Sequence, residues 1–490
     1  MLRLTSMNLA KLNTDILAIA VCEDKDIHDD PAIKAVVRNA LKLKEFSAKK
    51  DEMVTLYDLP NIKSQRVILW GLGVHKKIDR EALRSMAGQT VKHCIKMQLT
   101  DLSIAVPDAS RIEMEMSDVL EALLEGAYLG NHLFDKFKNE KKTKALKQIH
   151  FRLTRPVTQK MRHLTSKVAV ICEGTAQAKD WVNTPSNEKT PEKFTHSIVN
   201  LAKKERLKVQ VLNEPQLKQK KFGALLAVAA GSQSKPNLVI LEHKVPGAKK
   251  TLALVGKGVT FDSGGLNIKS GSSMSDMKSD MSGAAAVAAT LIAAAKLKPK
   301  INIIGAIPIV ENMPSGKATR PGDIVRTYAG KTVEIGNTDA EGRLILIDTI
   351  SYVIKRYKPK MLVDLATLTG ACVVALGDKI AGVFSNDDHL AAQILAAGEK
   401  THERCWRMPL PEDYKELLKS HFADMNNISS SRTGGAITAA LFIAEFATDI
   451  SWAHLDIAGP AYLKSESAYC GTGGTGFGVR LLGEVIDKVS

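Results

Sequence analysis

The sequence predicts an α/β protein of two domains: a smaller N-terminal α/β domain over residues 1–157 and a larger C-terminal domain over 158–490. In the second, a central, mostly parallel sheet is expected to be flanked by helices. Three observations lead there. At 490 residues the chain is long enough for more than one domain. Short apolar runs alternate with helical patterns along almost all of it. Several of those runs are continuous rather than alternating, as in strands buried on both faces.

In the first third, Ile16–Cys22, Arg66–Trp70 and Leu102–Val106 read as strands, and Arg80–Met97 and Val119–Leu129 as helices. Acids flank the run at Ile16 (Asp15, Glu23 and Asp24), which fits a strand and not a signal peptide, whose leading flank is cationic. Lys136–Arg155 is a basic run before Pro156 and reads as a solvated connection. Beyond it, Lys167–Val182 reads as a helix ended by the turn Asn183-Thr184-Pro185. Strands are expected at Leu225–Ala229, Leu238–Leu241, Thr251–Val255, Ile301–Ile309, Thr332–Ile335, Met361–Leu365 and Ala453–Ile457. Helices are expected at Gly283–Ala295 and Gly342–Tyr357.

Composition sets limits on function. Apolar residues at 44% and charged residues at 25% are ordinary for a chain with a sizeable core, which excludes disorder and disulfide scaffolds. The net charge of +15 is spread nearly in proportion to length, so no basic tail marks a nucleic-acid arm. Cys22, Cys94, Cys172, Cys372, Cys405 and Cys470 form no C-x-x-C pair and read as free, buried thiols in a reducing compartment. The apolar stretch Gly283–Ala295 is shorter than the ~20 residues that span a bilayer, so a cytoplasmic protein without a membrane partner is expected.

Chemistry concentrates between Val255 and Leu368. The strand at Val255 breaks into Gly256-Lys257-Gly258 and leads to Phe261-Asp262-Ser263-Gly264-Gly265, placing a lysine and an aspartate at a strand's C-terminal edge. A phosphate loop is excluded because Gly258 follows the lysine, and Ser263 is in no G-x-S-x-G elbow. Asp280 stands before the Ala-rich helix, where alone it reads as a cap or dipole partner. Asp339 and Glu341, two apart at a strand-to-helix turn, read alone as helix-start acids. Together, Asp262, Asp280, Asp339 and Glu341 crowd four negative charges at strand ends of one sheet. Two divalent cations would balance them, and oxygen ligation suits Mg²⁺, Mn²⁺ or Zn²⁺. There is no H-E-x-x-H, and no histidine clusters with this window.

The run Asn337-Thr338-Asp339-Ala340-Glu341-Gly342-Arg343-Leu344 resembles the signature of the leucyl aminopeptidase (cytosol aminopeptidase) family of dimetal peptidases. Lys257–Gly265, Met277–Val287 and Ala366–Gly370 resemble the family's other blocks, as do Asp180–Pro191, Glu311–Asp323, Trp452–Pro460 and Thr475–Leu482. The resemblance implies that Lys257, Asp262, Asp280 and Glu341 hold a tighter metal. It also implies that Asp262, Asp339 (side chain and carbonyl) and Glu341 hold an exchangeable one. It implies Mn²⁺ or Zn²⁺, with Mg²⁺ or Co²⁺ as further candidates, and a water or hydroxide between the two ions as nucleophile. Lys269 would reach the scissile carbonyl, Arg343 would hold a bicarbonate, and Met277, Thr367, Leu368 and Gly370 would line the pocket for the first side chain. The implied activity is release of N-terminal residues, leucine and other large apolar ones above all, from peptides by a homo-hexamer. Two alternatives remain at this point: DNA binding through basic patches such as Lys136–Arg155 and Lys218–Lys221, and a dimetal phosphoesterase. An oligomerising or regulatory role is expected for the N-terminal domain.

Overall fold

In the computed structural model, which describes residues 2–490, the first sheet is built from Leu2–Thr5 (β1), Ile16–Val21 (β2), Met53–Tyr57 (β3), Arg66–Gly71 (β4), Asp101–Ala105 (β5) and Gln148–Arg152 (β6). Their order is β1-β6-β5-β2-β4-β3, parallel throughout except for the antiparallel edge strand β3. Every residue of β2 is buried, because helices cover both faces of this central strand. Helices Arg80–Lys96 and Met116–Gly130 pack on one face and on each other, and a Cβ at Gly126 would lie 2.0 Å from the Arg84 carbonyl oxygen. Part of the expected solvated connection is instead β6, a strand paired on both sides. Ile149 and Phe151 are buried there, and Arg152 pairs with Asp30 at 2.5 Å. The lysines before it had masked its short apolar alternation.

The chain divides into two compact units, Met1–Cys172 with Ser465–Thr472, and Glu173–Lys464 with Gly473–Ser490. In the second unit the strands are Lys208–Asn213 (β7), Asn237–His243 (β8), Thr251–Gly256 (β9), Gly258–Asp262 (β10), Asn302–Asn312 (β11), Ile324–Arg326 (β12), Thr332–Glu334 (β13), Met361–Ala366 (β14), Ala381–Ser385 (β15), Cys405–Arg407 (β16), Met425–Asn426 (β17) and Ser451–Asp456 (β18). The large sheet runs β16-β15-β18-β14-β9-β11-β8-β7, with β10 also on β11. Its centre, β18-β14-β9-β11, is parallel. Helix Ser282–Leu297 covers one face and helix Glu341–Tyr357 the other. Leu344, Ile347 and Ile350 of the latter point into the core, with Ile354 partly buried beside them. Ser273–Leu297 has the length and apolarity of a membrane span, longer than the sequence suggested, but 78% of its most apolar window is buried inside the protein as a core helix.

Two sequence expectations fail here. Leu225–Ala229 is not a strand but most of the helix Gly223–Ala229, since a five-residue apolar run fits either state. Buried Asp348 favours the helix by accepting the otherwise unpaired N–H of Leu225 near its start, at 3.0 Å. The strand at Thr332 forms, but in a separate three-stranded sheet, β12-β13-β17. Asp339 and Glu341 therefore do not extend from the same sheet as Asp262. Among the described residues all six cysteines are free and buried, as expected.

Candidate metal centre

The site begins at a break in a strand. β9 pairs with the first half of β11 and β10 with the second, and Lys257 is the residue between them. Its backbone stays bonded, N–H to Leu365 O at 3.0 Å and carbonyl to Ala284 N–H at 2.9 Å, so the interruption is held in place. Its side chain crosses the start of helix Glu341–Tyr357, where a Cβ at Gly342 would stand 2.7 Å from Nζ. Only glycine leaves that path open. Lys257 Nζ lies 2.8 Å from both Asp280 Oδ1 and Glu341 Oε1 and donates to Thr367 O at 2.8 Å.

Asp262 ends β10, and both of its oxygens are engaged. Oδ1 accepts from Gly264 N–H at 2.9 Å and Asn312 Nδ2 at 2.8 Å, while Oδ2 is 2.8 Å from Lys269 Nζ. Lys269 Nζ also reaches Asp339 Oδ1 at 2.5 Å. Asp280 is no helix cap: the cap position is Met281, without a side-chain bond, and Asp280 instead faces Lys257 and accepts from Thr367 Oγ1 at 2.7 Å. Thus Lys257, Asp262, Asp280, Asp339, Glu341 and Lys269 come together from three separate stretches of chain. Thr367 joins them directly. Met277 and Leu368 lie half-buried on neighbouring segments, and Gly370 opens the helix Gly370–Leu376 on the surface, with no atom within 4 Å of where its Cβ would be. Arg343 is buried, donating from Nη1 to Asn427 O at 2.8 Å, while its Nε has no partner.

Two asparagines shape the site without any signal in the sequence. Asn312, opposite Asp262 on β11, donates from one Nδ2 to both Asp262 and Thr338 O, at 2.8 and 3.1 Å. Asn427, wholly buried just after β17, accepts from Gly336 N–H and Asn337 N–H at 2.8 and 3.2 Å. Its Nδ2 donates to Asn337 O at 2.8 Å and Ala340 O at 3.4 Å. Each looks like any loop asparagine in one dimension, and only the pairing of β10 with β11 and β13 with β17 gives it a role.

Charge in the cluster is unbalanced. Burial, reinforced by the Asp262 charge, pushes Glu341 up to about 8 and raises Asp339. Burial also pushes Asp280 up to about 6, although Lys257 works against it. Burial opposes the charge on both lysines, yet the surrounding carboxylates hold each above the ordinary lysine range. Burial brings Arg343 down to about 10. Two lysines thus face four acids, and Asp280 Oδ2 is buried with no hydrogen-bond partner. Such an orphan costs roughly 1–3 kcal/mol, a penalty that a cation would remove. Asp262, Asp280 and Glu341 each offer an oxygen within 4.8 Å of the others. The donor set therefore fits hard divalent cations.

The catalytic-domain model of the cytosol aminopeptidase family matches residues 176–483, and its N-terminal-domain model matches 23–141. The chain is 41% identical over 498 residues to a probable cytosol aminopeptidase of Chlorobium phaeobacteroides, with 99% of each covered. It is 41% identical over 439 residues to one of Cenarchaeum symbiosum, with 88% of each covered. Among solved structures it is similar to the bottromycin maturation enzyme BotP, at a TM-score of 0.86 and 34% identity over 97% of this chain and 99% of that one. It also matches BotP in complex with Mn, at a TM-score of 0.87 with the same identity and coverage. Buried carboxylates with metal-ligand spacing and matches to both family domains converge: the chain belongs to the cytosol aminopeptidase family of hydrolases.

Proposed function

We propose that this protein removes N-terminal residues, leucine and other large apolar ones preferentially, from peptides, using two divalent metal ions per chain. The observation that carries this is the buried Asp262–Asp280–Glu341 cluster, with its orphaned Asp280 Oδ2, in a member of an aminopeptidase family. Lys257, Asp262, Asp280 and Glu341 would hold one ion and Asp262, Asp339 and Glu341 the other, with Mn²⁺ or Zn²⁺ the favoured metals. When bound there, the two ions would supply Lewis acidity for activating a water and for polarising the scissile carbonyl. In this reading Lys257 would give a neutral amine, and the Asp280 and Glu341 carboxylates beside it would exchange an ammonium for a dication.

Lys269, kept cationic by Asp262 and Asp339, donates to the oxygen of the developing tetrahedral centre. Arg343, with its unpartnered Nε, holds a bicarbonate that takes the proton, since all four carboxylates of the cluster are engaged as proposed metal ligands. Met277, Thr367, Leu368 and Gly370 line the pocket for the first side chain. A homo-hexameric, cytoplasmic enzyme of peptide catabolism, divided into domains 1–157 and 158–490 with the first serving assembly, completes the proposal and rests on the family resemblance. The test is hydrolysis of leucinamide and its N-acetyl derivative by the Mn²⁺-loaded protein. Cleavage of the first alone is expected. Equal cleavage of both, or cleavage of phosphate esters instead, would overturn the reading.

A further inference from the structure

We propose that Asn427 is a positioning residue of the Asp339 arm of the site, fixing the second metal position far more than the first. This rests on the dimetal reading above. Asp339 sits on a loop, Gly336–Ala340, that belongs to the small sheet and not to the large one carrying Asp262. A loop from a separate sheet needs its own tie to keep a carboxylate in register. Thr338 is tied to Gly264 and Asn312, and Asn427 holds the rest of the loop with four side-chain hydrogen bonds to backbone at Gly336, Asn337 and Ala340, on either side of Asp339. Its own carbonyl accepts from Arg343 Nη1 at 2.8 Å, so one residue sets the Asp339 turn, the start of the Glu341 helix and the Arg343 guanidinium.

Of the four ligands proposed for the first position, only Glu341, shared by both ions, lies under this control. Lys257 and Asp280 are held by Thr367, and Asp262 by Gly264 and Asn312. Groups that orient ligands typically change metal affinity or activity by ~10–100-fold when lost. Asn427→Ala should therefore weaken one ion selectively.

The experiment is a Mn²⁺ titration of the chelated full-length chain, followed by calorimetry and by electron paramagnetic resonance of free Mn²⁺, with leucinamide hydrolysis alongside. The wild type should bind two ions. Asn427→Ala should bind the tighter one within about 3-fold of wild type and the weaker one ~10–100-fold less tightly, with kcat falling more than KM rises. Asn427→Asp keeps both acceptor bonds and loses both donor bonds, so it should fall between the two, and it carries the test if the alanine variant does not fold. Equal weakening of both ions, or no change in either, would overturn this inference while leaving the metal reading intact. Fewer than two ions in the wild type would overturn both.

Discussion

Two sheets of similar construction carry their charges in opposite ways. In the N-terminal unit, acids beyond the end of β2 stay near solvent: Asp24 pairs with His75 at 2.8 Å and is more than a third exposed. Where charge is buried there, a guanidinium answers it. Arg84, 1% exposed, lies 2.7 Å from Glu125 and 2.6 Å from Glu81. In the second unit the acid ending β10 is buried, three more crowd beside it, and the lysines present do not balance them. A parallel sheet with helices on both faces is common to the two units. A buried excess of carboxylate is found, among the described residues, only in the second. The lesson is that function follows from where charge is left uncompensated rather than from layer architecture.

That contrast can be broken by mutation, and the largest effect belongs to the uncompensated cluster. Asp339→Ala or Glu341→Ala should lower kcat/KM for leucinamide by more than about 10³-fold, since each removes a proposed ligand. Full activity in either would remove the site from consideration. Lys269→Ala should lower kcat by ~10²–10³-fold with a smaller change in metal binding, measured by the same assay with a Mn²⁺ titration.

Stability should show the reverse ranking. Arg84→Met strands buried Glu125 and should cost about 3–5 kcal/mol in chemical denaturation, with kcat unchanged in the protein that remains folded. Glu341→Gln relieves repulsion in a cluster that burial already pushes toward protonation, so the chelated variant should melt no lower than wild type.

A subtler test uses Asp348, which burial pushes up to about 7 from its ordinary value of 3.8. Because the folded form resists ionisation, the unfolded chain gives up its proton first as pH rises. Stability should therefore fall from about pH 4 to about pH 7 and then level off, relative to Asp348→Asn. Denaturation at both ends of that window checks the sign. The smallest effect is expected at the exposed Asp24–His75 pair, where Asp24→Asn should leave melting temperature and activity unchanged.

Much of this contrast is legible in the sequence. Continuous apolar runs marked β2, β4, β9 and β11, because strands buried on both faces leave no polar alternation. The carboxylates were visible because Asp262, Asp280, Asp339 and Glu341 sit at ends of elements, each within three residues of a glycine. What stayed hidden depends on contacts between distant segments. Leu225–Ala229 is helical because Asp348 meets its first turn from 123 residues away in sequence. Asp280 looked like a cap because nothing local shows that Lys257 and Thr367 wait across the strand edge. The separate sheet β12-β13-β17, and with it the work of Asn427, exists only once β13 pairs with a strand more than ninety residues later.

The measurement that reaches the central claim most directly is the rate of leucinamide hydrolysis as Mn²⁺ is returned to the chelated protein. The expected result is a rate that begins near zero, climbs with added metal and levels off at two ions per chain, with Glu341→Ala flat throughout. A chelated protein that already hydrolyses leucinamide at the full rate, and gains nothing from added metal, would contradict it.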